Sequence, residues 1–367
     1  MRAMITGGGT GGHIYPALAI AEGIKNKYED AEILYVGADG GLEKELATRA
    51  GYKFKGITVA GLERRISLKA ITTVFKNMQG IRQSKVLLRQ YQPDIVIGTG
   101  GYACGPLMLA AAKKGFPTLL HEQNAIMGMT NSILSNKVDK ICLTFNIMGG
   151  NFSAHHKAVI TGLPVRKNIM NADKNKGIEF FCLNPEKPVV LVTGGSQGAK
   201  HLNEAAIAAG KKIIAAGGQI LHLTGPKLYQ DSERLAKEAG ILNNENYKIV
   251  DYLHEMEMAL GAADIIISRS GASLLAEIMA VGRCSVLIPY PYATGDHQKA
   301  NALSLVNRNA AKMILDNELS GDSLWEVLEP LLKDKALVAE MSKNCYDMGC
   351  RDAVDNILEQ AAEIIKK

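Results

Sequence analysis

Two stretches of this chain share one design. Ala3-Met4-Ile5-Thr6 runs into Gly7-Gly8-Gly9-Thr10-Gly11-Gly12-His13, and Val189-Val190-Leu191-Val192-Thr193 runs into Gly194-Gly195-Ser196-Gln197-Gly198-Ala199. In each, a short apolar run without polar alternation meets a glycine loop that opens a helix, which suits a strand buried on both faces. Glycines permit positive φ and close backbone approach, and the amides at a helix N-terminus attract anions. The same beginning twice in one chain predicts two Rossmann-like units in tandem.

Outward from these stretches, short apolar runs alternate with helical segments. The first series of strands is expected at 3–6, 33–36, 95–99, 118–121, 140–143 and 158–161, the second at 189–193, 220–224, 248–251, 265–268, 285–288 and 311–314. Such alternation gives an α/β fold with doubly wound parallel sheets, whose ligands bind beyond the carboxyl ends of the strands. Two such domains would face a central cleft. The turn-rich Gly162–Arg166 and the polar Asn171–Gly177 mark the boundary, so the domains are expected at 1–163 and 164–350. Val354, Ile357, Leu358, Ala361, Ile364 and Ile365 recur at helical spacing. They predict a last helix over 351–367 that packs back onto the first domain.

Composition bounds the answer further. The chain has 367 residues, 47% hydrophobic and 22% charged, with a formal net charge of +5. That describes a folded protein of about two domains, with a charge too mild to imply nucleic acid. No two of the six cysteines have CxxC spacing, so reduced thiols in a cytosolic protein are expected, without a disulfide frame or zinc site. No signal peptide and no membrane-spanning stretch is read from the sequence.

Gly98-Thr99-Gly100-Gly101-Tyr102 is a third loop of the same kind. One glycine loop alone is as often a tight turn as a ligand site; three at equivalent places indicate a nucleotide- or anion-handling cleft. A dinucleotide dehydrogenase fits less well. The acidic residue that should end the second strand and hold a ribose is replaced by Asp39, which falls late, in a glycine turn.

More specific are motifs that recur in order over nearly the whole chain: Gly8–His13, Gly100-Gly101-Tyr102, His121-Glu122-Gln123-Asn124 and Thr161–Arg166. Gly194–Ala199, Arg269-Ser270-Gly271-Ala272 with Glu277, and Asp296-His297-Gln298 follow. With these the sequence resembles the UDP-N-acetylglucosamine:lipid I N-acetylglucosaminyltransferases of peptidoglycan synthesis, the MurG type. The resemblance implies the two-domain GT-B architecture and a metal-independent, inverting transfer without a cofactor. The N-terminal domain would serve the acceptor and membrane, the C-terminal domain the UDP-GlcNAc donor. No Asp-x-Asp motif occurs. Amides, a helix dipole and Arg or Ser side chains would then stabilise the leaving diphosphate.

Position by position, the resemblance implies that Ser196 contacts the donor phosphate and Glu277 the ribose hydroxyls. Ala272, Ser273, Leu274, Leu275, Ala276 and Glu277 would form a helix start against ribose and phosphate. Leu253 stands where relatives give uracil a backbone contact, and Arg166 would lie near the nucleotide. Asn124 and Gln298 would bind the sugar, and Thr10, Gly11 and Gly12 would border the donor. Lys299 departs from the family, which often has a second Gln there, and puts one sugar hydrogen bond in question.

Inversion requires the acceptor 4-hydroxyl to lose a proton as it attacks an oxocarbenium-like carbon. Two residues compete for that task. His13 has a suitable intrinsic pKa and follows the first loop, although it could simply cap the first helix. Glu122 is the rival, its bland alternative being a buried carboxylate that braces residues 121–124. His121 reads as structural.

Residues 61–92 carry Arg64, Arg65, Lys69, Lys76, Arg82, Lys85 and Arg89 against Glu63, interleaved with Ile66, Ile71, Val74, Phe75, Met78 and Ile81. A basic amphipathic segment suits anionic lipid headgroups, while core packing is the default use of its apolar stripe. With a lipid-linked acceptor, peripheral attachment at the cytoplasmic face of the cell membrane is expected. Nucleic acid is not, since stacking aromatics are lacking. The alternatives are another UDP-sugar enzyme on this fold, such as a diacylglycerol glycosyltransferase or a UDP-GlcNAc 2-epimerase, and a non-catalytic UDP-sugar binding protein.

Overall fold

The computed structural model describes residues 1–61, 68–149 and 152–366, and side chains within the helix that begins at Leu68 from Thr72 onward. In chain order the strands and helices are β1 (Arg2–Thr6), α1 (Gly11–Lys27), β2 (Glu32–Ala38), α2 (Leu42–Arg49), β3 (Lys53–Ile57), α3 (Leu68–Tyr91), β4 (Ile95–Gly98), α4 (Cys104–Lys114), β5 (Thr118–Glu122), α5 (Met129–Ser135), β6 (Lys140–Leu143) and β7 (Ala158–Ile160). There follow α6 (Lys167–Met170), α7 (Lys174–Phe180), β8 (Val189–Thr193), α8 (Lys200–Ala215), β9 (Gln219–Leu223), α9 (Tyr229–Glu238), β10 (Tyr247–Val250) and α10 (Met256–Ala262). The last are β11 (Ile265–Ser268), α11 (Ala272–Val281), β12 (Cys284–Leu287), α12 (His297–Val306), β13 (Ala311–Met313), α13 (Gly321–Lys333), α14 (Lys335–Met348) and α15 (Ala353–Ile365).

Residues Met1–Pro164 and Asp352–Lys367 form one compact unit, Val165–Arg351 a second. The first is built on a sheet in the order β3-β2-β1-β4-β5-β6-β7, the second on β10-β9-β8-β11-β12-β13. All strand pairs are parallel. The physical cause is visible in the strands themselves. β4, β5, β8 and β11 are buried at every residue because helices cover both faces.

β3 is a strand that the continuous-run reading overlooks. Lys53 and Lys55 are exposed between the half-buried Phe54 and Gly56, and the strand pairs with β2 at the sheet edge. An edge strand solvated along one side alternates, and its charges guard the free edge. The last helix packs on α1: Ile357, Leu358 and Ala361 join Ile20 and Ile24 in one core cluster. Glu363 pairs with Lys140 at 3.0 Å.

In each sheet the first strand is flanked by strands that lead away in opposite directions, β2 and β4 in the first unit, β9 and β11 in the second. Such a switch point opens a crevice at the carboxyl ends. Both crevices carry the glycine loops. No helix among the described residues is long and apolar enough to cross a membrane.

Candidate functional site

In the first unit the loops after β1 and β4 touch. Gly8 N donates to Gly100 O at 3.3 Å. At Gly101, with φ +78, an added Cβ would stand 2.0 Å from Gly8 O, so no side chain fits. His13 lies in the first turn of α1, half-buried, its Nδ1 3.1 Å from Thr10 Oγ1. Its carbonyl accepts from Thr99 Oγ1 at 2.7 Å, which ties the helix start to the β4 loop.

Beneath this loop is a carboxylate that the sequence did not single out. Glu43, in the first turn of α2, is 0% exposed. Its Oε1 accepts from Ala38 N at 2.9 Å and its Oε2 from Gly9 N at 3.3 Å. A Cβ on Gly8 would stand 2.4 Å from Glu43 Oε1. The first glycine loop therefore gives an amide to an anion from its own chain, and the N-terminus of α2 favours that charge.

Glu122, at the end of β5, is 1% exposed and met by four donors. Asn124 N (3.0 Å) and Asn124 Nδ2 (3.3 Å) reach Oε1; Gly128 N (3.0 Å) and Asn131 Nδ2 (2.8 Å) reach Oε2. Burial pushes this carboxyl up and the N–H groups draw it back. His121, fully buried, is pushed down to about 4 by desolvation and is neutral at pH 7. Its Nε2 donates to Gly162 O at 2.9 Å, so Nδ1 accepts from Gln123 Nε2 at 3.1 Å. Gln123 Nε2 also reaches Thr99 O at 2.8 Å. Residues 121–124, α5 and the β4 loop are thus one braced assembly with His13.

The second unit is built differently. Gly198 N donates to Gly195 O at 2.9 Å, closing a tight turn with Ser196 and Gln197 exposed at its tip. Gly198, at φ +73, lies against the β9 loop, where a Cβ would come 2.0 Å from Thr224 O. Asn203 on α8 holds Thr224 O at 3.0 Å and is itself held by His222 Nε2 at 3.1 Å. Tyr247 OH donates to His222 Nδ1 at 2.9 Å, and burial pushes His222 down to about 3. Neither α8 nor α11 has a side-chain cap, so their first amides are left for another acceptor.

Along α11, Ser273 is exposed and Leu274 half-buried, while the side chains of Ala272, Leu275 and Ala276 are in the core. Those three can present only backbone. Glu277 is met by Arg166 Nη2 at 3.2 Å, which brings two of the expected residues together. Burial pushes Glu277 up and the Arg166 charge opposes it. Leu253 is half-buried in the loop after β10. Gln298 Oε1 accepts from Tyr290 N at 2.9 Å, and the neighbouring Lys299 is half-buried. Arg269 donates to Ile288 O and Pro289 O, both at 3.2 Å, and pairs with Asp316. Burial alone would raise Asp316, but hydrogen bonds from Arg269 and His201 hold it below the usual carboxylate range.

The whole chain matches known proteins. Residues 3–143 fit the glycosyltransferase family 28 N-terminal domain and residues 189–357 its C-terminal domain. A protein of Desulforamulus reducens, 42% identical over 100% of both chains, is a UDP-N-acetylglucosamine--N-acetylmuramyl-(pentapeptide) pyrophosphoryl-undecaprenol N-acetylglucosamine transferase. The chain belongs to the MurG family of glycosyltransferases. MurG of Acinetobacter baumannii superposes with a TM-score of 0.80 at 27% identity, over 100% of this chain and 99% of that one. The UDP-GlcNAc 2-epimerase of Neisseria meningitidis shares the fold at a TM-score of 0.69 and 13% identity, over 99% and 100%.

Within this family frame, the residues that motif reading missed are Glu43, Asn131 and Asn203. Each is an acid or amide on a helix, where such a residue ordinarily reads as solvated surface. Only the packing of α2, α5 and α8 against the loops reveals them. Among the described residues, no cluster of three or more His, Cys, Asp or Glu is placed to hold a metal ion.

Proposed function

We propose that this chain transfers N-acetylglucosamine from UDP-GlcNAc to the 4-hydroxyl of MurNAc in undecaprenyl-pyrophosphoryl-MurNAc-pentapeptide (lipid I), forming lipid II with inversion. The observation that carries this reading is full-length identity of 42% to a relative named for that transfer.

The second unit takes the donor. The amides at the start of α8, with Ser196, receive the diphosphate, and the helix dipole favours the charge that grows as UDP leaves. Glu277 accepts from the ribose hydroxyls, with Arg166 beside it. The start of α11, from Ala272 to Glu277, lies along ribose and phosphate, and the backbone at Leu253 meets uracil. Gln298 and Asn124 bind the transferred sugar, and Thr10, Gly11 and Gly12 border the donor.

The first unit takes the acceptor. His13, whose Nδ1 is 3.1 Å from Thr10 Oγ1, takes the proton of the acceptor 4-hydroxyl on Nε2. The oxygen bonds to the anomeric carbon, the proton passes to Nε2, and the carbon–phosphate-oxygen bond breaks with its electron pair leaving on UDP. Glu122, already met by four donors, positions the loop.

The exposed face of α3 serves the membrane. Val74 (52%), Phe75 (68%) and Met78 (48%) are exposed beside Lys76, Arg82, Lys85 and Arg89. Apolar insertion with flanking cations suits an anionic lipid surface, and a peripheral position at the cytoplasmic face follows from a lipid-linked acceptor. Of the segment 61–92, Glu63, Arg64, Arg65 and Ile66 lie outside the described residues, as do the side chains of Lys69 and Ile71.

The test is incubation with labelled UDP-GlcNAc and a lipid I analogue, with a muramyl-free lipid as control. Labelled disaccharide on the muramyl acceptor alone is the expected result. Product on neither lipid would defeat the reading.

A further inference from the structure

The segment that follows β12 cannot prolong a strand ladder. Ile288 N still donates to Ser268 O at 2.8 Å, but Pro289 and Pro291 have no N–H to give. The carbonyls of Ile288 and Pro289 take their donor from a side chain instead. Arg269, the residue after β11, donates to both from Nη1 at 3.2 Å. Its guanidinium carbon also lies 5.6 Å from the centroid of the Tyr290 ring. The next backbone N–H, that of Tyr290, donates to Gln298 Oε1 at 2.9 Å. An N–H can meet only the oxygen of that amide, so the orientation of the Gln298 side chain follows from the place of Tyr290. Gln298 O in turn accepts from Ser270 Oγ at 2.8 Å.

Arg269 itself is held by Asp316, in the short turn after β13. The two side chains are 11% and 16% exposed, so this is a largely desolvated ion pair. The other carboxylate oxygen of Asp316, Oδ2, meets His201 Nδ1 at 3.2 Å, in the first turn of α8. Asp316 therefore joins the segments that follow β11, β12 and β13 to the start of α8. Removing its charge leaves a shielded guanidinium without compensation, which costs far more than losing a surface ion pair.

Resting on the transferase reading above, in which Gln298 binds the transferred sugar, we propose that Asp316 is a positioning residue for that sugar. Acting through Arg269, it fixes the root of the loop after β12 and so aims the Gln298 amide N–H at the GlcNAc moiety. Without its charge Arg269 turns towards water, the Ile288 and Pro289 carbonyls lose their donor, and Gln298 loses its anchor at Tyr290. Ser196 and Glu277 are not members of this chain of contacts, so the UDP part of the donor is held as before.

The test uses the full chain with labelled UDP-GlcNAc, a lipid I analogue and UDP as inhibitor. Asp316→Asn should lose about 10-fold in kcat/KM for UDP-GlcNAc, the worth of about one hydrogen bond, while the UDP inhibition constant holds within about twofold. Asp316→Glu, which keeps the charge, should recover most of the loss. Added to Gln298→Ala, Asp316→Asn should cost less than about threefold more, because two changes that act on one contact do not add. A UDP inhibition constant that rises as far as kcat/KM falls overturns the proposal, and so does full additivity with Gln298→Ala. Normal kcat/KM in either single variant overturns it too. Should Asp316→Asn not fold, Arg269→Lys keeps a charge for Asp316 but loses the fork that reaches the loop carbonyls, and it should show the same split and the same non-additivity. Absence of transfer by the unaltered chain would count against the transferase reading instead.

Discussion

The loop after β1 and the loop after β8 occupy equivalent places in their sheets, yet one is filled and the other open. Glu43 brings a buried carboxylate under Gly8 and Gly9 and takes the Gly9 amide. Among the described residues no carboxylate is inserted against the Gly194–Gly198 loop; Ser196 and Gln197 stand exposed at its tip and α8 has no side-chain cap. A glycine loop is a set of donors, and what it binds depends on whether the chain supplies its own anion. The first loop thereby becomes a rigid platform for His13. The second stands open, and the diphosphate is proposed to bind there.

The sharpest way to break this contrast is His13→Ala. Transfer should fall by about 10²- to 10⁴-fold, the usual contribution of a positioned general base. The donor KM should hold within about twofold, because the loop proposed for the diphosphate is in the other unit. Near-normal turnover would remove His13 from the chemistry.

Acidification tests the two buried histidines, one in each unit. Both have a native pKa below the unfolded value of about 6.5, His121 at about 4 and His222 at about 3. The unfolded chain therefore binds protons that the native chain refuses. Their stabilising effect is complete above pH 6.5 and is lost as pH falls towards 4 for His121 and towards 3 for His222. Near pH 5 they should together give unfolding free energy a slope of about 2.5 kcal/mol per pH unit, read from denaturant titrations at several pH values. A flat profile between pH 6.5 and 5 would mean that the histidines are not shut away.

Glu43→Ala should destabilise the first unit by about 2–4 kcal/mol, since it leaves the buried Ala38 amide without its acceptor, frees the part-buried Gly9 amide and opens a cavity. Amide hydrogen exchange on the full chain should show the loss in β1, β2 and α2 and not in β8 or α8. Inorganic phosphate that bound the emptied loop would confirm the carboxylate as a stand-in anion.

The smallest effects are expected at the open loop. Glu277→Ala should weaken donor binding by about 10-fold and Ser196→Ala by about 3- to 10-fold, the range of one or two hydrogen bonds. Calorimetric titration with UDP measures both, and unchanged affinity in both would move the diphosphate and ribose elsewhere.

Much of this could be read from the residues in order. The doubly wound fold followed from buried Val- and Ile-rich runs that alternate with helical segments, because a strand covered on both faces needs no polar alternation. β3 escaped that rule because it lies at a solvated edge. His13, Ser196 and Glu277 could be named because each falls inside or just after a motif of fixed spacing.

Glu43, Asn131 and Asn203 could not. Alone, each is an ordinary polar residue on a helix, and nothing within a few residues says that it is buried. The contacts that hold them join residues well separated in the chain: Gly9 with Glu43, His121 with Asn131, Asn203 with His222. The sequence by itself determined the two sheets, the glycine loops and the chemical types available at them. Only tertiary packing decided which loop is plugged by its own carboxylate, because desolvation acts on position in space and not on neighbours in sequence.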